Sequence, residues 1–141
     1  MIPLGGSEMP RERTVSIHND HDIVAARLAS RQLAQELGFG MVDQARIAAA
    51  VSELTRNIVQ YAGHGEALVR AIEREERIGI EIVCQDEGPG IADVGFTEQM
   101  GRPASSGMGM SGARRLMDEF EIESRVGVGT RIVVRKWLHS L

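Results

Sequence analysis

Residues Arg13 to His18 alternate polar and apolar side chains, and that two-residue period predicts a short strand with one buried face. Beyond it the period lengthens. Asn19-Asp20 offers a helix cap, and Ile23, Val24, Leu28, Leu33 and Leu37 then predict an amphipathic helix ending at Gly38. Ile47, Val51, Leu54, Ile58 and Tyr61 recur at three- and four-residue steps, which predicts a second helix from about Val42 to Ala62, stopped by Gly63-His64-Gly65. Residues 67–73 and 78–84 return to strand character around the charged turn Arg74 to Arg77, as a hairpin would. Asp86-Glu87-Gly88-Pro89-Gly90 breaks the second of these strands, and residues 91–106 form a stretch of mixed polarity long enough to serve as a functional lid. A third helix is expected from Gly107 or Gly109 to Phe120, followed by a hairpin of residues 122–125 and 131–138. This order predicts an α+β sandwich, with helices on one face of a mixed, mostly antiparallel sheet. Residues 1–12 are expected to form a flexible tail and residues 13–141 a single domain.

Composition narrows the chemistry. A chain of 141 residues suits one domain. Of its 16 basic residues only Lys136 is a lysine, which excludes a P-loop lysine, a strand lysine pairing nucleotide phosphates, and an early or mid-chain Schiff-base lysine. The net charge of -4 argues against nucleic acid or an anionic membrane as partner. One Cys allows no intrachain disulfide, and no Cys or His spacing resembles a zinc set. Neither a signal peptide nor a membrane span can be read in the chain, so the expected location is the cytoplasm.

Three segments carry candidate chemistry. Gly107-Met108-Gly109-Met110-Ser111-Gly112 fits G-x-G-x-x-G, but it follows a loop and not a strand, so the dinucleotide-binding reading fails on context. What remains is a glycine-rich approach to a helix start, suited to an anion. Asp86-x-Gly88-x-Gly90 places a carboxylate at the end of an apolar strand, followed by glycines that admit a flat ligand. Glu53 and Asn57, four residues apart, share one face of the second helix at the border of its apolar stripe. Taken singly, each segment has a plain structural reading as connector, turn or solvated flank.

Together, Glu53-x-x-x-Asn57, Asp86-x-Gly88-x-Gly90, Gly107-x-Gly109-x-x-Gly112 and Gly127-x-Gly129-Thr130 resemble the GHKL ATP-binding fold, from about Val15 to Leu138. The strings Ser52 to Ile58, Tyr61-Ala62-Gly63, Asp86 to Ile91, Arg115 to Phe120 and Val134 to Leu138 look like the RsbT-type serine/threonine kinases, the switch proteins of bacterial stressosome modules. The resemblance implies ATP and Mg2+ as cofactors and a Bergerat-type two-layer sandwich. It assigns Glu53 as general base and Asn57 as the Mg2+ ligand. Asp86, supported by Thr130, would accept from the adenine amino group, with Gly88 and Gly90 making room for the base. Gly107, Met108, Gly109, Met110 and Gly112 would line the triphosphate, and Arg102 is a possible γ-phosphate contact. Only about a dozen residues precede the first strand, where a sensor kinase would need a dimerisation helix, so the expected substrate is a separate protein. The resemblance implies a STAS-domain antagonist as substrate and inhibitor and a PP2C-type phosphatase as activated target. The alternative is an ATP-gated anti-sigma factor or binding module with little kinase activity.

Overall fold

A computed structural model of the chain describes residues 11–89 and 110–139. Strand β1 (Glu12–Ile17) leads into helix α1 (Asp20–Leu37) and helix α2 (Met41–Asn57), which continues as a π-helical turn, Ile58–Ala62. The hairpin β2 (Gly65–Arg74) and β3 (Arg77–Asp86) follows, then helix α3 (Met110–Leu116) and the hairpin β4 (Glu119–Arg125) and β5 (Gly129–Trp137). The five strands form one sheet in the order β1-β2-β3-β5-β4, and every pairing is antiparallel.

Local chemistry sets the ends of α1. Asn19 accepts the Asp22 N–H through its side chain at 3.1 Å, and the Asp22 carboxylate accepts the His18 N–H at 2.8 Å. At the other end Gly38 turns left-handed, φ 100°, and the Phe39 N–H returns to the Ala34 carbonyl. The apolar stripes of α1 and α2 then cover one sheet face. Leu33, Ile47, Val51 and Leu54 from the helices meet Val69, Ile80, Ile82 and Val134 from the strands, all fully buried in one core. Cys84 joins that core; desolvation, with Asp86 adding to it, pushes its thiol up to about 12, so it packs as an apolar group.

The other face of the sheet carries an apolar row, Leu68, Val83 and Val133, and beside it a tightly ion-paired cluster. Glu81 is 5% exposed, and its two oxygens accept from Arg70 Nε and Arg135 Nε, each at 2.7 Å. Arg135 also donates to Glu119 and Glu121. Burial pushes the Glu81 carboxyl upward, but the guanidiniums of Arg135 and Arg70 outweigh it and hold the group below its usual 4.5. A depressed pKa contributes stability above the unfolded value and loses it as pH falls through the folded value. Glu81→Gln is therefore expected to lower stability at pH 7 by about 1–3 kcal/mol. Urea unfolding across pH should show that deficit shrinking below about pH 4.

Of the boundaries that differ from the sequence reading, two have a clear local cause. The β2–β3 turn has only Glu75 and Glu76 at its tip, both with positive φ (53° and 68°), because Arg74 and Arg77 are paired within the ladder. Helix α3 ends at Leu116 and not at Phe120, which lies in β4 opposite Val134. The Asp118 carboxylate takes the Trp137 N–H at 2.8 Å and the Asp118 N–H goes to the Arg135 carbonyl, so β5 claims the chain before a further helical turn can form. Among the described residues, no helix is long and apolar enough to cross a membrane.

Candidate functional site

The period of α2 turns Glu53 outward from the core, toward α3. Its carboxylate accepts the Ala113 backbone N–H, while Oε1 is buried and has no hydrogen-bond partner among the described residues. Desolvation is the larger influence and raises the Glu53 pKa above 4.5, against the opposing pull of the Ala113 N–H and Arg56. Gly112 makes this approach possible: a Cβ there would lie 2.6 Å from Oε1 and 2.7 Å from Oε2. Asn57, one turn after Glu53 on the same face, is the last residue of α2 before the π-helical turn.

The second half of the site is built on the sheet. Asp86 ends β3 and pairs in register with Gly65 on one side and Thr130 on the other. Its Oδ1 accepts the Gly88 N–H at 2.8 Å, which closes a tight turn and leaves Oδ2 without a partner among the described residues. Asp86 and Thr130 both line a cleft of about 680 Å³ between the β3 end and the β4–β5 hairpin. Thr130 Oγ1 lies 2.8 Å from Ser124 Oγ, which also approaches the Gly129 carbonyl at 3.2 Å. Gly129 has φ 146° and sits against the Asp86 backbone, so a side chain would be both strained and obstructed there. The two halves meet at Gly88, where the space a Cβ would take is filled by Ala62, 2.6 Å away at the end of the π-helical turn.

Of the residues singled out in the sequence, Glu53 and Gly112 come into contact, and Asp86, Gly88 and Thr130 cluster at the ends of β3 and β5. Met110 opens α3. Gly90, Arg102, Gly107, Met108 and Gly109 lie outside the described residues. Four contributors escaped the sequence reading: the Ala113 N–H, Ser124, Ala62, and Gly65, which reads as a helix stop but lies under Asp86. Only the Ser124–Thr130 pair had a usable signal, since both flank the tight turn of a predicted hairpin. His64 stacks on His18 with ring centroids 5.9 Å apart, at the rim of a smaller cleft that Asp86 also lines.

A family model described as "Histidine kinase-like ATPase domain" matches residues 18–136, and the chain belongs to that family. This bears out the α+β fold of GHKL type. More particularly, the chain is 46% identical over 132 residues to "Serine/threonine-protein kinase RsbT" of Bacillus subtilis (strain 168), covering 92% of this chain and 99% of that protein. It is also 33% identical over 122 residues to "Anti-sigma F factor" of Caldanaerobacter subterraneus subsp. tengcongensis, covering 80% of this chain and 83% of the relative. Among solved structures, the SiaB–SiaC complex from Pseudomonas aeruginosa contains a similarly folded chain, with TM-score 0.53 and 16% identity over 90% of this chain and 89% of that one. The catalytic domain of the histidine kinase ThkA aligns with TM-score 0.50 and 14% identity, over 88% and 95% of the two chains.

Proposed function

We propose that this protein is a serine/threonine kinase that uses Mg-ATP to phosphorylate a STAS-domain antagonist. It acts by partner switching in a bacterial stress-signalling pathway in the cytoplasm, and once released it activates a PP2C-type phosphatase. The observation that carries this reading is the state of Glu53: a half-buried carboxylate of raised basicity, with one oxygen still able to accept a proton. A module that only bound nucleotide would have no use for such a base. Support for the enzyme class comes from the 46% identity to a serine/threonine-protein kinase.

The residues present fit the implied groups. Asn57 offers a neutral amide oxygen, the kind of single protein ligand that suits Mg2+ sharing its shell with phosphates and water. When bound, Mg-ATP supplies the transferable γ-phosphoryl group and the charge that offsets its developing negative character. Glu53 takes the proton of the incoming Ser or Thr hydroxyl. The Asp86 carboxylate accepts from the adenine amino group, with Thr130 supporting the same contact and Gly88 and Gly90 admitting the ring. Within this reading Gly107, Met108, Gly109, Met110 and Gly112 would line the triphosphate, with Arg102 a possible γ-phosphate contact. Incubation with radiolabelled Mg-ATP and a candidate STAS-domain protein should transfer label to that protein. Persistent failure to label it, with ATP binding intact, would remove the kinase reading.

The identity to an anti-sigma F factor favours a second reading, in which partner sequestration is the output and phosphorylation is slow. Stable, ATP-dependent capture of a sigma factor, with no label transfer, would select it.

A further inference from the structure

Outside the site, the two most exposed large apolar side chains of the described helices stand together at the start of α2. Met41 is 74% exposed and Val42 64%. With Ala45 and Ala49 they form a stripe along α2 at three- and four-residue spacing, and Leu116 of α3 lies at the edge of the shallow, open groove of about 540 Å³ that they line. The groove has a defined direction relative to Glu53. Gly112 lies against Glu53 and Leu116 beside the Ala45–Ala49 stretch, so α3 runs antiparallel to α2. Ala49 and Glu53 are four residues apart on one face, which puts the end of the apolar stripe about 6 Å along the helix from the carboxylate.

The rim carries the opposite charge to the molecule. Arg31 of α1 and Arg46 of α2 line the groove, and exposed Arg115 stands next to Leu116. Arg46 is paired to Asp43 at 2.9 Å, while Arg31 and Arg115 make no ion pair among the described residues. A positively rimmed apolar trough on a chain of net charge -4 is complementary to an acidic amphipathic segment and repels a basic one. Its walls are helices whose small residues, Ala45 and Ala49, leave room for the ridge of a third helix.

We infer that the α1–α2–α3 groove is the docking surface for an acidic-flanked amphipathic helix of the protein substrate, which it seats with one end beside Glu53. The identity of the docked protein as phosphoryl acceptor rests on the kinase reading above; the groove's preference for an acidic helix does not.

The probe is a fluorescein-labelled synthetic helix of 16 residues with Leu at i, i+4, i+7 and i+11 and Glu at the flanking positions. Its control has each Glu replaced by Lys. Anisotropy titrations without nucleotide should show the acidic peptide binding at least tenfold more tightly than the basic one. Val42→Glu, at an exposed position, should weaken it at least tenfold, and Arg31→Glu at least fivefold. ATP affinity and the circular dichroism spectrum should stay at wild-type values in both variants. Equal affinity for the two peptides, or undiminished binding to Val42→Glu, would overturn the inference. So would a wild-type dimer in sedimentation that Val42→Glu splits, because the groove would then be an interface between copies. Since the titration needs no catalysis, a failed labelling experiment leaves it standing. Conversely, label transfer that Val42→Glu does not slow would remove the groove's role while leaving the kinase intact.

Discussion

Glu53→Gln is expected to eliminate phosphoryl transfer, with a loss of at least ~100-fold in rate, while nucleotide affinity stays near wild type. Gln keeps the volume and can still accept the Ala113 N–H, but it cannot take up a hydroxyl proton. The same change should stabilise the fold at neutral pH, because wild type confines a charge whose Oε1 has no partner among the described residues. The sign follows from the raised pKa: the carboxyl's contribution is complete below its unfolded value of 4.5 and is lost as pH rises through the folded value. Thermal melts should therefore show Glu53→Gln a few degrees above wild type at pH 7, with the two coinciding near pH 4. Retained transfer would dismiss Glu53 as base, whereas a lower melting temperature at pH 7 would dismiss the unsatisfied carboxylate.

Asp86→Asn should weaken ATP binding by about 10–100-fold, the loss of about 1.5–3 kcal/mol expected for a hydrogen bond to a charged group. Asn can keep the turn closed by accepting the Gly88 N–H, so the fold should hardly change. What changes is the second position, where an NH2 donor replaces the Oδ2 acceptor. A donor there opposes the adenine amino group, and calorimetric titration with ATP reads the difference directly. Unchanged affinity would mean that the base does not sit at the end of β3.

The elements of this fold were legible wherever a residue's role is decided within a turn or two of chain. The Asn19 cap, the Gly38 stop and the stripe from Ile47 to Ile58 each act locally, and each stands where the pattern put it. The four-residue spacing puts Glu53 and Asn57 on one helix face and the apolar strand ends at Asp86, but their reading as site residues comes from the joint resemblance of the motifs to the GHKL set. Contacts between distant segments were not legible. That the Ala113 N–H goes to Glu53, that Gly112 is small for Glu53, and that Gly65 and Gly129 flank Asp86 all depend on how helices and ladders come together. The Glu75-Glu76 turn carries no Gly or Asn to announce it, because the full pairing of β2 and β3 forces positive φ on whatever residues stand at the tip. Phe120 reads as the end of a helix by sequence and lies in a strand because Trp137, seventeen residues on, takes Asp118 for its own N–H.

Lys136 has a consequence of a different kind. This one lysine is 6% exposed, with Nζ donating to the Leu116 carbonyl at 2.8 Å and standing 3.6 Å from Asp118. It fastens the last turn of α3 to the sheet, so its ammonium is occupied as well as sheltered. Lysine acetylation, lysine ubiquitination and dye labelling of lysine all require an ε-nitrogen that can be approached and deprotonated. On the native fold they find no lysine to modify. Crosslinking or immobilisation of the native fold cannot run through a lysine side chain, and any covalent control exerted on it in a cell has to pass by a route other than lysine.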